Sequence, residues 1–177
     1  MNSPTARPAV KALVIATYVI MIAVNALANA LPLNGRTTGA VSDAYPNLFA
    51  PTALTFAIWG VIYLLLGAHV LYQLGLFRSR SAEAGVPEGG ATARVALLER
   101  VGILFSLSSL ANTAWVFAWH YDLMLLSTVL LITMLVLLIL ITRTILAAGA
   151  SGRDAAFIRL PFSVYFVDAE LRIHYSN

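Results

Sequence analysis

Four stretches of this chain stay uncharged for the depth of a bilayer. Lys11 to Arg36 encloses 24 uncharged residues, Asp43 to Arg78 encloses 34, Arg100 to Asp122 encloses 21 and Asp122 to Arg143 encloses 20. A helix needs roughly 20 apolar residues to cross the hydrocarbon. The pattern predicts four complete spans, near 12–33, 51–74, 99–121 and 123–143. The gap from Arg159 to Asp168 holds only 8 residues and predicts a partial fifth helix over 157–167. Only "HYD" separates the third and fourth spans, which makes them a tight antiparallel hairpin. "NGRTTGAVSDAYPNLFAPT" reads as an irregular loop, with an Asn-Gly pair and two prolines. Its Tyr45, Leu48 and Phe49 fit either a lid over the bundle mouth or a short interfacial segment. "RSRSAEAGVPEGGATAR" reads as a polar, Gly-rich linker.

The polar and aromatic residues inside the spans recur at helical spacing. In the second, Thr55, Trp59, Tyr63 and Gly67 follow a step of four, and Phe56 and Gly60 widen the stripe. Such a row drifts by roughly 40° per turn against a 3.6-residue period. Indole N–H and phenol O–H groups need partners that lipid does not supply. This face therefore belongs against protein, water or a ligand; aromatic packing with a glycine notch for a neighbouring helix is the structural alternative. In the third span, "SSLANTAWVFAWHY" places Ser108, Asn112, Trp115 and Trp119 at steps of three or four. Two such faces predict an aromatic-lined cavity for something flat and largely apolar. Trp and Tyr rings would stack on its plane, while Asn112 and Tyr63 would fix polar substituents. In the first span, Asn25 and Asn29 lie one turn apart beside Ala23, Ala26 and Ala30. They serve either as interhelical glue or as a polar rim. The fourth span is almost featureless, as a helix facing lipid would be.

Composition agrees with the pattern: 60% of residues are hydrophobic and 11% charged, with a mean hydropathy of +0.84. Residues 1–177 are expected to form one transmembrane helical domain. The N-terminal segment could pass for a signal peptide, but its apolar run exceeds the usual core of such a segment and reads as a retained helix. Nine basic residues (Arg7, Lys11, Arg78, Arg80, Arg94, Arg100, Arg143, Arg153 and Arg159) fall on one side of an alternately threaded chain. That places the N-terminus in the cytoplasm. The spread of arginines among loops forms no nucleic-acid patch. With no cysteine, thiolate metal sites, disulfides and cysteine nucleophiles are excluded. His120, beside Tyr121 and Asp122, reads as an interfacial turn residue; His69 reads as snorkelling or hydrogen-bonded. No nucleophile–base set, phosphate loop or carboxylate pair lies in a span, so neither an enzyme nor a metal site is expected.

Residues 51–67 resemble the second-helix signature of the TspO/MBR family, the tryptophan-rich sensory or translocator proteins, through Pro51, Phe56, Trp59, Tyr63 and Gly67. "NTAW" is similar to that family's third-helix Asn-x-x-Trp at Asn112 and Trp115, and "RLPFSVY" to the start of its fifth helix. "LPLNGRTTGAVSDAYPNLFAPT" is close to the first loop of bacterial members. The resemblance covers about residues 12–166. It implies an all-α, five-helix membrane bundle, often dimeric, with an internal pocket for porphyrin or haem-type tetrapyrroles and no required cofactor. It also implies a bacterial plasma-membrane location and a role as a sensor or binding protein. Carried over by position, Trp59, Tyr63, Asn112 and Trp115 line the pocket, Trp119 extends their face, and Pro51 and Phe56 shape the mouth. A transporter of small amphipathic molecules and a structural membrane protein without a ligand are the alternatives.

The chain also departs from that pattern. Pro-Pro and Phe-Phe pairs of the second and third helices are absent. After "RLPFSVY" comes "FVDAELRIHYSN", where an apolar stretch with Trp and Asn is expected. Each such charge costs about 2.5–3.5 kcal/mol at a helix centre. Two expectations follow: a fifth helix that stops short, its tail at the cytoplasmic face, or an altered reading frame or gene end, the latter preferred.

Overall fold

The computed structural model describes residues 6–44, 53–77, 88–149 and 152–175. The long helices are α1 (Pro8–Ala30), α3 (Ala53–Gln73), α4 (Glu88–His120) and α5 (Met124–Ala147). A six-residue α2 (Thr38–Asp43) follows α1. The last helical run comprises α6 (Gly152–Asp154), a π-helical turn (Ala155–Arg159) and α7 (Leu160–Tyr175). Among the described residues the one β-type pairing is the Leu33–Arg36 bridge. Asn34 and Gly35 turn it at positive φ, 52° and 75°, as an Asn-Gly pair does in a tight reversal.

Local chemistry sets the helix ends. Pro8 stands in the first turn of α1, where a missing N–H costs nothing. Pro32 forces Leu31 into the extended region at φ −121°, so α1 stops at Ala30 rather than at Leu33. At the end of α3, Gly75 takes φ 98° while Leu76 N donates to Leu71 O and Gly75 N to Tyr72 O. This is a Schellman cap. The "HYD" turn repeats it: Asp122 has φ 55°, Leu123 N donates to Ala118 O and Asp122 N to Trp119 O. The expected hairpin of α4 and α5 is therefore closed by two backbone bonds.

Two further helices run beyond the expected spans. α4 begins at Glu88, not at residue 99, so part of the expected linker is helical. "ATARVALLER" is rich in strong helix formers, and Arg94 and Glu99 are tied to neighbouring segments by ion pairs. The helix expected to end at 167 continues to Tyr175. Insertion cost measures where charges stand in a bilayer, whereas backbone helicity depends on local bonds and propensity. Ala, Glu, Leu and Arg in this stretch favour a helix. The side chains of Asp168, Glu170, Arg172 and His174 lie outside the described residues, as do Pro51, the linker positions 78–87 and the loop residues Tyr45, Leu48 and Phe49.

The helices close on one another in a ring. α1 packs on α3 and α4, α4 on α5, α5 on α7, and α7 on α3. α5 buries Ser127, Leu131, Met134, Leu138, Ile141 and Ile145, an alternation of fours and threes that makes one seam. Most other positions of this largely apolar helix are half or fully exposed, Leu125 at 81%. α1, α4 and α5 are long and apolar enough to cross a membrane.

Candidate functional site

Helix α4 serves as a ruler through the interior of the ring. Near its start, Arg94 pairs with Asp154 at 3.1 Å, and Tyr72 donates to the same carboxylate at 2.5 Å. Arg94 also bonds the Tyr72 hydroxyl. Phe157 stacks between Tyr72 and Phe77, with centroids 5.1 Å away on each side. Arg7, just ahead of α1, grips Glu99 through its guanidinium and its backbone N–H.

One turn further in, His69 of α3 is wholly buried. Its Nδ1 lies 2.9 Å from Phe157 O within the π turn. A carbonyl can only accept, so Nδ1 carries the proton. Gln73 Nε2 then donates to His69 Nε2 and to Leu98 O, both at 3.1 Å. His69 is thus hydrogen-bonded, one of the two expectations for it, and does not snorkel. Its ring meets Phe162 edge-on at 4.8 Å and Phe105 at 5.8 Å, and Phe105 meets Phe162 at 5.6 Å. Tyr18 of α1 lies 6.4 Å from Phe105. Together these rings plug the axis of the ring of helices.

Above the plug the interior turns polar without becoming charged. Asn25 of α1 donates to Asn112 Oδ1 at 2.8 Å, and Asn112 Nδ2 donates to the Tyr165 hydroxyl of α7 at 3.3 Å. Asn112 is wholly buried and Tyr165 is 1% exposed. On neighbouring positions of α4, the buried hydroxyls of Ser108 and Ser109 find no hydrogen-bond partner among the described residues. One and two turns beyond Asn112, Trp115 and Trp119 stack at 5.9 Å and 20°. Trp115 is buried; Trp119, Trp59 and Tyr63 are half-buried and pack against the same core. Among the described side chains, none from Phe105 to Trp119 on α4, or from Tyr18 to Ala28 on α1, is ionisable to a charge at neutral pH.

The expected residues are not all brought together in the same way. Asn112, Trp115 and Trp119 share the inward face of α4. The row on α3 lies beside that helix's most buried line, Ile62, Leu66, His69 and Gln73, and runs toward the seam with α1. There Tyr18 donates to Tyr63 O at 2.8 Å, and its hydroxyl fills the Gly67 notch. A Cβ on Gly60 would meet nothing within 4 Å among the described residues. Phe56 belongs to α3, but its side chain, like Pro51, lies outside the described residues. Of the asparagine pair, Asn25 is buried across the interface, whereas Asn29 stays exposed and bonds back to Asn25 O. Ala23, Ala26 and Ala30 are exposed too. Tyr165 is one of the interior residues that spacing alone did not single out, with Phe105, Phe162 and Gln73. Its signal was the "RLPFSVY" stretch, in which Phe162 and Tyr165 stand one turn apart.

His120, the last residue before the α4–α5 turn, is wholly buried, with Nδ1 2.7 Å from Val116 O and Nε2 3.4 Å from Thr38 Oγ1 of α2. Asn34 donates to His120 O at 3.0 Å and Arg36 pairs with Asp122. The inner part of the first loop is therefore fastened to the α4–α5 turn.

The TSPO-like protein family model matches residues 11–167, nearly the whole chain and all of the interior just described. No curated protein and no solved structure matches it. An all-helical membrane chain matched along this length belongs to the TSPO-like protein family.

Proposed function

We propose that this membrane protein binds a flat hydrophobic ligand, of which a porphyrin is the leading candidate, in the half of the helix ring beyond the aromatic plug. The reading takes α1, α3, α4, α5 and the run through α7 as a five-helix bundle in a bacterial plasma membrane, the N-terminus cytoplasmic. One observation carries it: α4 turns Asn112 and the stacked Trp115–Trp119 pair inward on a single face. Indole faces favour a planar ring system. Asn112 and the spare hydroxyls of Ser108 and Ser109 supply neutral hydrogen bonds for its substituents. Ionised substituents gain no counter-charge from the described interior, so they project toward the mouth. Trp59 and Tyr63 complete the aromatic surround.

Binding is favoured over transport by the plug. A solute crossing the bundle along its axis must displace Phe105, Phe162 and His69, all wholly buried and mutually packed. No catalytic step is proposed for this interior. The test is quenching of tryptophan fluorescence by protoporphyrin in detergent. Wild-type protein is expected to quench saturably, and the Trp59→Leu/Trp115→Leu double variant to lose most of that saturable phase after correction for its lower emission. Equal saturable quenching by both proteins rejects the site. Flux of the same compound across proteoliposomes would move the reading to a transporter.

A further inference from the structure

Proline interrupts the last helical run where that run meets the plug. Pro161 has no N–H, so it gives Phe157 O no bond of the α-helical pattern, and its ring crowds that carbonyl. The backbone widens at this point. Ala155–Arg159 form a π turn, and Leu160 N donates to Ala155 O, five residues back. Phe157 O is the same carbonyl that takes the Nδ1–H of His69 at 2.9 Å. A side chain of α3 thus supplies a donor where proline removes one.

The two sides of this joint are held differently. Before it, Asp154 accepts from Tyr72 and pairs with Arg94, and Phe157 is stacked between Tyr72 and Phe77. Beyond it, α7 meets the interior mainly through rings. Phe162 lies edge-on to His69 and Phe105, and the Tyr165 hydroxyl accepts from Asn112 at 3.3 Å. His69 touches both sides: Phe157 O before the proline, and the Phe162 ring, at 4.8 Å, after it. Its own place is fixed by Gln73, whose amide also holds Leu98 O of α4.

We infer that residues 155–161 are a hinge in the last helical run and that His69 is its latch. With the His69–Phe157 bond made, α7 is held against the plug. With the bond broken, α7 tilts about Pro161, drawing Phe162 away from Phe105 and Tyr165 away from Asn112. The axis of the ring of helices then opens, while the part before the joint stays fastened to the end of α3. This device goes beyond ligand binding and operates whether or not a porphyrin is the ligand.

The test is a set of spin-label distances on the full chain in lipid nanodiscs. The chain has no cysteine, so labels can be placed singly. Leu110→Cys on α4 with Val167→Cys on α7 reports the part beyond the joint, and Leu110→Cys with Ala156→Cys the part before it; all three positions are exposed. His69→Phe keeps a ring against Phe162 and Phe105 but cannot donate to Phe157 O. It should broaden the 110–167 distances and leave the 110–156 distances narrow. Adding Pro161→Ala restores a backbone donor for Phe157 O and should narrow the 110–167 distances again. Unchanged distances in His69→Phe overturn the proposal. So does equal broadening of both pairs, which is general loosening, and so does broadening that Pro161→Ala fails to reverse. Should His69→Phe not fold, Pro161→Ala alone decides. It should slow amide exchange across 158–166 about fivefold, the worth of one ordinary hydrogen bond, and unchanged exchange overturns the hinge.

Discussion

Tyr18 of α1 stands in the space where residue 67 of α3 would carry a side chain. Its hydroxyl lies 2.7 Å from the position of a Cβ on Gly67, and the ring carbon behind it 3.4 Å away. The same hydroxyl donates to Tyr63 O at 2.8 Å. The glycine in the α3 row is therefore a socket for a neighbouring helix, not a wall of the ligand site.

That geometry predicts a reversal of sign. Gly67→Ala should destabilise the wild type by roughly 1 kcal/mol, the typical worth of the displaced hydrogen bond. In a Tyr18→Phe background the nearest atom is the ring carbon, at ordinary contact distance. The alanine should then be neutral or stabilising by up to about 1 kcal/mol, its helix-propensity advantage. Thermal unfolding of the four proteins in one detergent measures this. Additive effects would show that Tyr18 does not occupy the notch.

A second glycine gives a prediction without such relief. A Cβ on Gly102 would stand 3.0 Å from both Gln73 amide atoms and from Val14 Cγ2. Gln73 cannot withdraw without leaving Leu98 O and His69 Nε2. Gly102→Ala should cost about 1–3 kcal/mol, as over-packing of a core usually does. It should also loosen the π turn that His69 holds, visible as faster amide exchange across 155–159.

The sequence carried the outline of this fold because membrane spans announce themselves through length and the absence of charge. It carried less about faces. In α5 nearly every residue is apolar, so nothing distinguishes the seam of Leu131, Met134, Leu138 and Ile141 from the lipid side. In α3 the polar row was conspicuous, yet the buried line is Ile62, Leu66, His69 and Gln73. Tyr63 is half-buried at its margin. Spacing identifies residues that share a face, but not the neighbour that face meets. That depends on the order of helices around the ring, which involves contacts such as Tyr18 with Gly67 and Asn25 with Asn112. The inward face of α4 was legible because a buried asparagine in a membrane helix must find a partner within the protein.

The Asn25–Asn112 bond predicts a measurable but modest coupling. Interhelical hydrogen bonds in membrane proteins average about 0.6 kcal/mol and reach about 1.7 kcal/mol in double-mutant cycles. Asn25→Ala and Asn112→Ala, singly and together, should give a coupling in this range. Asn112→Ala should also weaken porphyrin quenching, while Asn29→Ala, on the exposed side, should leave both readouts unchanged. Loss of stability without loss of quenching would make Asn112 a structural residue only.

The two ionic ties at the Arg7 end should respond differently to substitution and salt. Arg7 is 73% exposed in its pair with Glu99. Water and salt screen such a pair, and many contribute nothing measurable. Glu99→Gln should therefore leave the unfolding midpoint unchanged within error. Asp154 has heavier duty: it accepts from Tyr72 and pairs with Arg94, both side chains being less than a third exposed. Asp154→Asn keeps the shape but leaves the Arg94 charge uncompensated. It should cost about 1–2 kcal/mol, the lower part of the range for charged hydrogen bonds because both groups keep some water contact. The loss should persist in high salt, since a hydrogen-bonded, partly buried pair is poorly screened. Equal losses for the two substitutions, or a loss for Asp154→Asn that vanishes in salt, would mean that both ties are surface ion pairs of the same kind.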